Sequence, residues 1–286
     1  MTEIAVHTPL GPATLGLFRP DRMARSLWSH RDLIWQFSLR EVRQRNAGTQ
    51  LGIVWAGLQP LMMLLVYTFV FSTTLNIRLS NNTQETAADY AVMLFAGLMV
   101  FQLFVDPLGR SPALIINRKA FVKRHVFPVE VLPLTLVIST ALYSGIGLLL
   151  VVVANLVMTG GFSPTIYLLP VVLLPAILMA IGLGWILSAI GVFVPDLQNV
   201  TGSVVQRLLF FMTPIFYSVD RVNENYRWLL YLNPMTPVVE GARDVMILGN
   251  QPDWALLGVW IAISLVVCQV GYAMFMRAKG GFADVL

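Results

Sequence analysis

Three arginines close together near the amino terminus have the clearest chemistry in this sequence. Arg40, Arg43 and Arg45 lie in the stretch SLREVRQRNAGTQLGIVWAGLQP, residues 38–60, and the next charged residue after Arg45 is Arg78. Guanidinium groups match phosphate oxygens and bind them through paired hydrogen bonds. The cluster therefore predicts a site for a phosphate-bearing ligand. An anchor in anionic lipid headgroups explains the same charges without a substrate.

The segment that carries these arginines has the pattern of an amphipathic helix. Trp35, Leu39 and Val42 recur at positions i, i+4 and i+7 and predict an apolar stripe, with the arginines on another face. We expect an interface helix over residues 28–46 that lies in the headgroup layer. Residues 1–27, with scattered Pro and Gly, are expected to form a flexible tail.

Composition predicts that most of the chain lies in a lipid bilayer. Of the 286 residues, 57% are hydrophobic and 12% are charged, and the mean hydropathy is +0.72. A soluble globular protein carries about 25% charged residues. Long uncharged runs without polar–apolar alternation favour helices over a β-barrel, because backbone groups in lipid must be satisfied internally. The predicted fold is an all-α polytopic membrane protein with six transmembrane helices, at about residues 51–75, 90–109, 131–157, 166–194, 200–218 and 254–276.

The distribution of basic residues predicts the orientation of these spans. Fifteen of the 19 Lys and Arg residues lie before the first span, in the loop after the second, at Arg207, or after the sixth. By the positive-inside rule that side is cytoplasmic, so both termini, including a tail at residues 280–286, are expected in the cytoplasm. The same asymmetry explains the pI of about 9.4 without a nucleic-acid partner.

The predicted cytoplasmic loop at residues 110–130 combines basic residues with prolines. Pro112 is expected to begin a short helix over residues 113–124 that is too charged to enter the membrane. An ordinary basic loop would satisfy the positive-inside rule. The other interpretation is a docking helix for a soluble partner.

The predicted external segment at residues 219–253 contains two apolar stretches that are too short to cross a bilayer. Residues 224–232 and 236–248 are each expected to be helical, separated by proline-containing turns. We expect re-entrant or interfacial helices at the outer mouth, with an aromatic belt as the alternative. Glu240 and Arg243, at i and i+3, are expected to form a local, solvent-exposed pair.

Aromatic residues near the first and fifth predicted spans suggest a path for sugar rings, whose C–H faces can slide along aromatic faces. Taken singly, each is explained as well by packing or by contact with lipid. The predicted path aromatics are Trp55, Tyr67, Phe210, Phe216 and Tyr217.

Two stripes of small residues predict close contact between helices. Such residues let helix backbones approach each other in lipid. The stripes recur every four residues and consist of Gly48, Gly52 and Ala56, and of Ala180, Gly184 and Ser188.

The sequence lacks the residues that several functional classes require. No GxxxxGK[ST] motif occurs and no lysine follows a glycine, so any ATP hydrolysis must take place in another polypeptide. The spans contain almost no acidic residue, which disfavours proton- or sodium-coupled transport. Acids and histidines do not cluster, and His7, His30 and His125 lack ligand spacing, so neither an enzyme active site nor a metal site is predicted.

The order of three sequence blocks resembles a known family over about residues 31–276. The blocks are LREVRQRNAGTQLGIVWAGLQP at 39–60, FVKRHVFPVEVLPL at 121–134 and NPMTPVVEGARDVM at 233–246. Together they are similar to the membrane subunit of type 2 ABC exporters that move lipid-linked polysaccharides.

This resemblance implies a homodimer of six-span subunits in the bacterial inner membrane, working with two copies of a separate ATP-binding subunit. ATP and Mg would be bound by that subunit, and no cofactor is expected in this chain. The resemblance also implies roles for particular residues. Arg40, Arg43 and Arg45 would bind the substrate headgroup, and the aromatic residues named above would line the path. Coupling to the ATPase would involve Asn117, Arg118 and Lys119, and an external gate within 224–248 would include Trp228, Tyr231, Glu240 and Arg243.

The implied substrate is an undecaprenyl-linked O antigen, with a capsular polysaccharide or a teichoic acid as the alternative. The block at 121–134 looks nearer to the O-antigen and teichoic-acid permeases than to the capsule subgroup. An exporter of a drug or a small lipid would use the same spans. Outside this class, a membrane-bound glycan-modifying enzyme and a stand-alone channel are the remaining alternatives.

Overall fold

The computed structural model describes residues 20–45, 50–51, 54–70, 87–122 and 127–286. Within these ranges the secondary structure is helical, with no β-strand, which confirms the predicted all-α class. The α-helices in chain order are α1 (Pro20–Ser29), α2 (Arg31–Arg45), α3 (Trp55–Phe69), α4 (Ala87–Leu114), α5 (Lys119–Val122), α6 (Val131–Thr159), α7 (Leu169–Phe193), α8 (Leu197–Asn199), α9 (Gln206–Met212), α10 (Glu224–Tyr231), α11 (Met235–Arg243), α12 (Trp254–Ala278) and α13 (Phe282–Val285).

Helix α4 lies at the centre of the bundle. It packs against α3, α6, α7 and α11, and its most apolar stretch is 89% buried. One apolar core surrounds its amino-terminal half together with α7 and α11. A second core joins its carboxyl-terminal end to α2 and to the near ends of α6, α7 and α12. We call this second region the basic end, because the arginines of α2 and Arg110 of α4 lie there.

Four helices are long and apolar enough to cross a membrane, among the residues that the structure describes. They match four of the six predicted spans; three are longer than predicted, and the one that begins at Ile166 is one residue shorter. The four candidate spans are Ala88–Leu114, Val131–Met158, Ile166–Phe193 and Trp254–Val285.

The first and fifth predicted spans have no described helix of spanning length. Helix α3 is apolar but has 15 residues, roughly 22 Å of helix. Residues 71–75 of that predicted span lie outside the described residues. In the fifth, a π-helical turn at Val200–Val205 leads into α9, which ends at Met212. The six-span count therefore stays a prediction.

The end of α9 follows from the local sequence. Thr213 precedes Pro214 and adopts an extended backbone, with φ −89° and ψ 134°. A proline disfavours helical geometry in the residue before it and cannot donate a backbone hydrogen bond. The chain then runs without regular helix to the 3₁₀ turn at Val219–Arg221.

Helix α7 contacts its neighbours through small residues. Ala180, Gly184 and Ser188 of the predicted stripe are all buried, which confirms the prediction of close contact. The tightest approach to α12 lies at another position, Gly182, where an added Cβ would come within 2.7 Å of the backbone of Cys268. In the other predicted stripe Ala56 is buried, while Gly48 and Gly52 lie outside the described residues.

Both predicted tails contain helix in the structure. Helix α1 begins in the predicted amino-terminal tail and ends at Ser29, two residues beyond the end of that tail; Pro20 at its first position and Asp21 in its first turn favour a helix start. Helix α13 falls within the predicted carboxyl-terminal tail. It is held against α12 by Phe282, which is fully buried and packs edge-on against Phe275. Lys279, just before it, pairs with Glu130 at 2.7 Å.

The basic loop begins later than predicted. Pro112 does not start a helix: α4 continues through it to Leu114. The proline lies one turn from the helix end, where only one backbone hydrogen bond is lost. A 3₁₀ turn at Ile116–Arg118 and the short helix α5 follow, and we call residues 116–122 the coupling segment. Residues 123–126 of the loop lie outside the described residues.

Candidate functional site

Helix α2 packs on the basic end through a stripe that differs from the predicted one. Val42 is buried as expected, but Trp35 of the predicted stripe is 51% exposed. The helix is rotated about its axis so that the carboxylate of Glu41 faces the bundle. The buried residues of α2 are Ile34, Ser38, Glu41 and Val42.

Glu41 is the centre of the polar contacts at the basic end. One of its carboxylate oxygens accepts a hydrogen bond from Arg110 in α4, and the other accepts one from Arg118 in the coupling segment. The Glu41 side chain is 8% exposed, that of Arg118 19% and that of Arg110 38%. Solvent therefore screens the pair with Arg110 more than the pair with Arg118. A single carboxylate connects α2, α4 and the coupling segment.

Arg45 makes a second connection between α2 and the bundle. Its guanidinium pairs with Asp106 of α4 at 3.3 Å and lies 4.3 Å from the ring centroid of Tyr143 in α6. Asp106 also pairs with Arg110 at 3.5 Å and accepts a hydrogen bond from Thr140 at 2.9 Å. Arg45 is thus held by a carboxylate and an aromatic face of the protein.

Arg40 and Arg43 are placed differently from Arg45. Both side chains are exposed, and neither makes an ion pair with any residue in the described parts of the chain. Arg40 lies at the edge of a cavity of about 230 Å³ that Gln44 and Phe121 also line. Of the three predicted headgroup residues, these two are free to meet a ligand from the surrounding medium.

The three predicted coupling residues also separate into two groups. Arg118 turns inward to Glu41, whereas Asn117 and Lys119 are exposed. Apolar contacts back this segment, since the ring of Phe121 lies 5.6 Å from that of Phe37 in α2. The coupling segment therefore presents Asn117 and Lys119 outward and uses Arg118 as an internal tether.

The two short helices α10 and α11, which we call the outer helix pair, confirm the predicted helical stretches at 224–232 and 236–248. Trp228 and Tyr231 of α10 are exposed. Most of α11 is buried against α4 and α7. Glu240 accepts a hydrogen bond from the backbone amide of Val219 at 3.0 Å. Burial raises the pKa of the Glu240 carboxyl, and this hydrogen bond opposes the rise.

The expectation of a solvent-exposed Glu240–Arg243 pair is wrong. Arg243 is 3% exposed, and its guanidinium donates to backbone carbonyls: to Met93 at 3.0 Å, to Pro214 at 2.7 Å, and to Ile215. The carbonyls after the end of α9 need donors because no helix continues there. Arg243 thus joins the outer helix pair to α4 and to the chain after α9.

Of the predicted path aromatics, Phe210 and Phe216 are brought together. Their ring centroids lie 5.2 Å apart, and Phe101 of α4 contacts Phe210 at 5.7 Å. Tyr67 and both phenylalanines pack against the larger apolar core. Tyr217 donates a hydrogen bond to a backbone carbonyl of α9, and Trp55 lies partly exposed at the start of α3. The five aromatics do not form one cluster.

Comparison with known proteins identifies the family of this chain. Residues 32–247 match the membrane region that is described as ABC-2 type transporter. The chain belongs to the ABC-2 transporter family. This stretch runs from the start of α2 to the π-helical turn after α11, so it includes the outer helix pair and the parts of the basic end that α2, α4, α6 and α7 contribute.

Three relatives match over most of their length. The O-antigen export system permease protein RfbA of Myxococcus xanthus is 29% identical over 267 residues, 92% of this chain and 98% of that protein. Its Klebsiella pneumoniae namesake is 24% identical over 258 residues, 89% of this chain and 95% of that protein. The polysialic acid transport protein KpsM of Escherichia coli is 26% identical over 240 residues, 83% of this chain and 90% of that protein.

Sequence reasoning on this ABC-2 protein missed two carboxylates, Glu41 and Asp106, as organisers of the basic end. One signal was present: Glu41 lies seven residues after Ile34 and three after Ser38, which places all three on one helical face. The apolar pattern pointed to Trp35 instead. Which face of α2 is buried depends on Arg110 of α4 and Arg118 of the coupling segment, which lie 69 and 77 residues away along the chain.

Proposed function

We propose that this ABC-2 protein is the membrane subunit of an ATP-driven exporter that moves an undecaprenyl-linked, O-antigen-type polysaccharide across the bacterial inner membrane. The observation that carries the proposal is the near full-length similarity to permeases named for O-antigen export. Fold alone would not select a substrate, since one fold serves many functions.

The proposed assembly is a homodimer with two copies of a separate ATP-binding subunit, which binds ATP and Mg. This chain contains no GxxxxGK[ST] motif of its own. In each subunit six spans cross the membrane, with both termini in the cytoplasm and the outer helix pair on the opposite side. The excess of Lys and Arg at the basic end supports this orientation.

We assign capture of the lipid pyrophosphate to Arg40 and Arg43. Their exposure, their lack of ion pairs among the described residues and the preference of guanidinium for phosphate support this role. Arg45 already binds Asp106 and packs on Tyr143, so we assign it to holding the end of α2 against the bundle.

In the proposed cycle, closure of the ATP-binding subunits pushes on Asn117 and Lys119 of the coupling segment. This movement separates the first and fifth spans of the two copies. The glycan then passes between them along aromatic faces that include Phe210 and Phe216. Helix α10, with exposed Trp228 and Tyr231, covers the outer end of the path.

A second candidate substrate is a capsular polysaccharide. The similarity to a polysialic acid transport protein, at 26% identity over 83% of this chain, favours it over a drug or a small lipid. Both candidates use the same coupling to an ATPase and differ in the glycan that reaches the cell surface.

Two measurements test the proposed function. Deletion of the gene should remove a lipid-linked polysaccharide from the cell surface and leave it in the cytoplasmic leaflet, and the intact gene should restore export. Purification of the tagged chain should recover an ATP-binding subunit in equal amount. Unchanged surface glycan in the deletion strain would contradict the substrate assignment. Loss of capsule with intact O antigen would favour the second candidate.

A further inference from the structure

Glu41 is the charged link between the interface helix and the coupling segment. Its two carboxylate oxygens accept from different arginines, Arg110 in α4 and Arg118 at the start of the coupling segment. The second contact between α2 and the coupling segment is apolar, Phe37 against Phe121. An apolar contact permits sliding, whereas charge-assisted hydrogen bonds fix two elements in register.

The other ion pairs of α2 do not reach the coupling segment. Arg45 connects α2 to Asp106, and through Asp106 to Thr140 of α6. Asp32, 83% exposed, pairs only with its neighbour Arg31, at 3.9 Å. Among the ion pairs of the described residues, Glu41–Arg118 is therefore the one that can transmit movement of the coupling segment to α2.

The Glu41–Arg118 ion pair is bordered by open space. Two cavities, of about 240 and 230 Å³, flank it, and Glu41, Gln44, Asn117 and Arg118 line both. Side-chain packing around the ion pair itself is therefore incomplete, although Phe37 and Phe121 pack nearby. The bond to Glu41 is the polar contact that holds Arg118 against α2.

We propose that Glu41 is a positioning residue that makes the interface helix and the coupling segment move as one body when ATP is hydrolysed. This inference rests on the proposed function, since it requires the ATP-binding subunit. Without Glu41, the subunit still docks on Asn117 and Lys119 and hydrolyses ATP, but its movement no longer reaches the helix that carries Arg40 and Arg43. Loss of Glu41 therefore uncouples ATP hydrolysis from export.

The test compares three activities of Glu41→Gln in the assembled complex. Copurification with the ATP-binding subunit should match that of the wild type, and ATP hydrolysis should stay within about twofold, because docking is unchanged. Export should fall by about tenfold or more, since Gln keeps a single uncharged acceptor oxygen and turns an NH2 donor toward the second arginine. Normal export by this variant would overturn the proposal, as would loss of copurification, which would indicate a structural role.

Two further variants sharpen the test. Asp32→Asn removes an exposed carboxylate from the same helix and should export normally. Arg118→Gln keeps Glu41 and its bond to Arg110 but removes the charged link to the coupling segment, so it should lose export as Glu41→Gln does. Normal export by Arg118→Gln would overturn the proposal.

A readout on the purified chain separates this inference from the proposed function. In detergent, the losses in Tm caused by Glu41→Gln and Arg118→Gln should not add in the double variant, because both remove the same pair. Additive losses would overturn the proposal whatever the substrate is. If the deletion strain keeps its surface glycan while the losses in Tm are non-additive, the substrate assignment fails and the link between the helices stands.

Discussion

Arg243, the last residue of α11, donates a hydrogen bond of 3.0 Å to the backbone carbonyl of Met93 in α4. The same guanidinium reaches the carbonyls of Pro214 and Ile215, just after α9 ends. Three elements that are far apart in sequence thus meet at one buried cation. The outer helix pair is tied to the centre of the bundle at this point.

Replacing Arg243 should cost more stability than replacing any exposed arginine. Arg243→Met leaves three buried carbonyls without this donor, and we expect a loss of about 2–4 kcal/mol in the free energy of unfolding. Arg243→Lys keeps the charge but not the planar fork, so its loss should be intermediate. Thermal unfolding in detergent measures both. Arg207→Gln, at an exposed site, is the control, and an equal loss in that variant would contradict this role for Arg243.

Gly97 should tolerate no side chain while Arg243 holds its position. An added Cβ would lie 2.8 Å from a guanidinium nitrogen of Arg243 and 3.3 Å from Val239. Gly97→Ala should therefore destabilise the wild-type protein by about 1–3 kcal/mol. In an Arg243→Met background the same change should cost less, because the obstructing group is gone. Equal costs in the two backgrounds, measured by thermal unfolding, would refute this contact.

Three of the four long spans could be predicted from sequence because each is an uninterrupted apolar run, whereas the span predicted at 90–109 includes Asp106 near its end. The helices found at 131–159 and 254–278 begin at the predicted residues. The predicted fifth span, which contains Arg207, stays helical through the π-helical turn at Val200–Val205 but ends at Met212, just before Thr213 and Pro214. A hydropathy pattern records how apolar a stretch is and does not show whether its backbone continues as one helix.

The polar contacts of the site could not be predicted in the same way. Arg243 was expected to pair with Glu240 in solvent because the two lie at i and i+3, yet it is buried and donates to the carbonyls of residues 93, 214 and 215. Arg45 looked equivalent to Arg40 and Arg43, but only Arg45 reaches Asp106. Such differences arise from long-range contacts, which helical periodicity does not contain.

Reversing the charge of Arg40 and Arg43 should abolish export. The double variant Arg40→Glu with Arg43→Glu replaces two exposed cations by anions that repel a pyrophosphate. Membrane insertion and copurification with the ATP-binding subunit should persist, because neither residue pairs with another described residue. Surface glycan staining of cells that carry the variant is the measurement.

The matched control for that variant lies on the neighbouring helix. Arg22→Glu with Arg25→Glu makes the same change in net charge on α1, where both side chains are exposed. This control should export close to wild-type levels if the position of the charges matters. Equal loss of glycan in the two double variants would indicate a general effect of positive charge at the membrane, and normal glycan in the first would refute capture by Arg40 and Arg43.

Glu240 should make the stability of the protein fall as pH rises. Burial raises the pKa of its carboxyl above the ordinary value of 4.5; the Val219 amide and Arg243 oppose the rise, and Asp220 and Asp244 add to it. An acid whose pKa is raised by folding disfavours the folded state once it ionises. The stabilising contribution of the neutral Glu240 carboxyl is therefore fully present below about pH 4.5, and the free energy of unfolding declines as pH rises through the folded-state pKa.

Glu240→Gln removes this dependence and keeps an oxygen that can accept from Val219. The variant should gain Tm relative to the wild type on going from about pH 5 to about pH 8, and the gain should level off once the wild-type carboxyl is fully ionised. Thermal unfolding in one detergent across this range is the measurement. Glu224→Gln, which changes an exposed carboxylate in α10, is the control and should follow the wild type. Parallel curves for Glu240→Gln and the wild type would show that ionisation of Glu240 does not oppose folding.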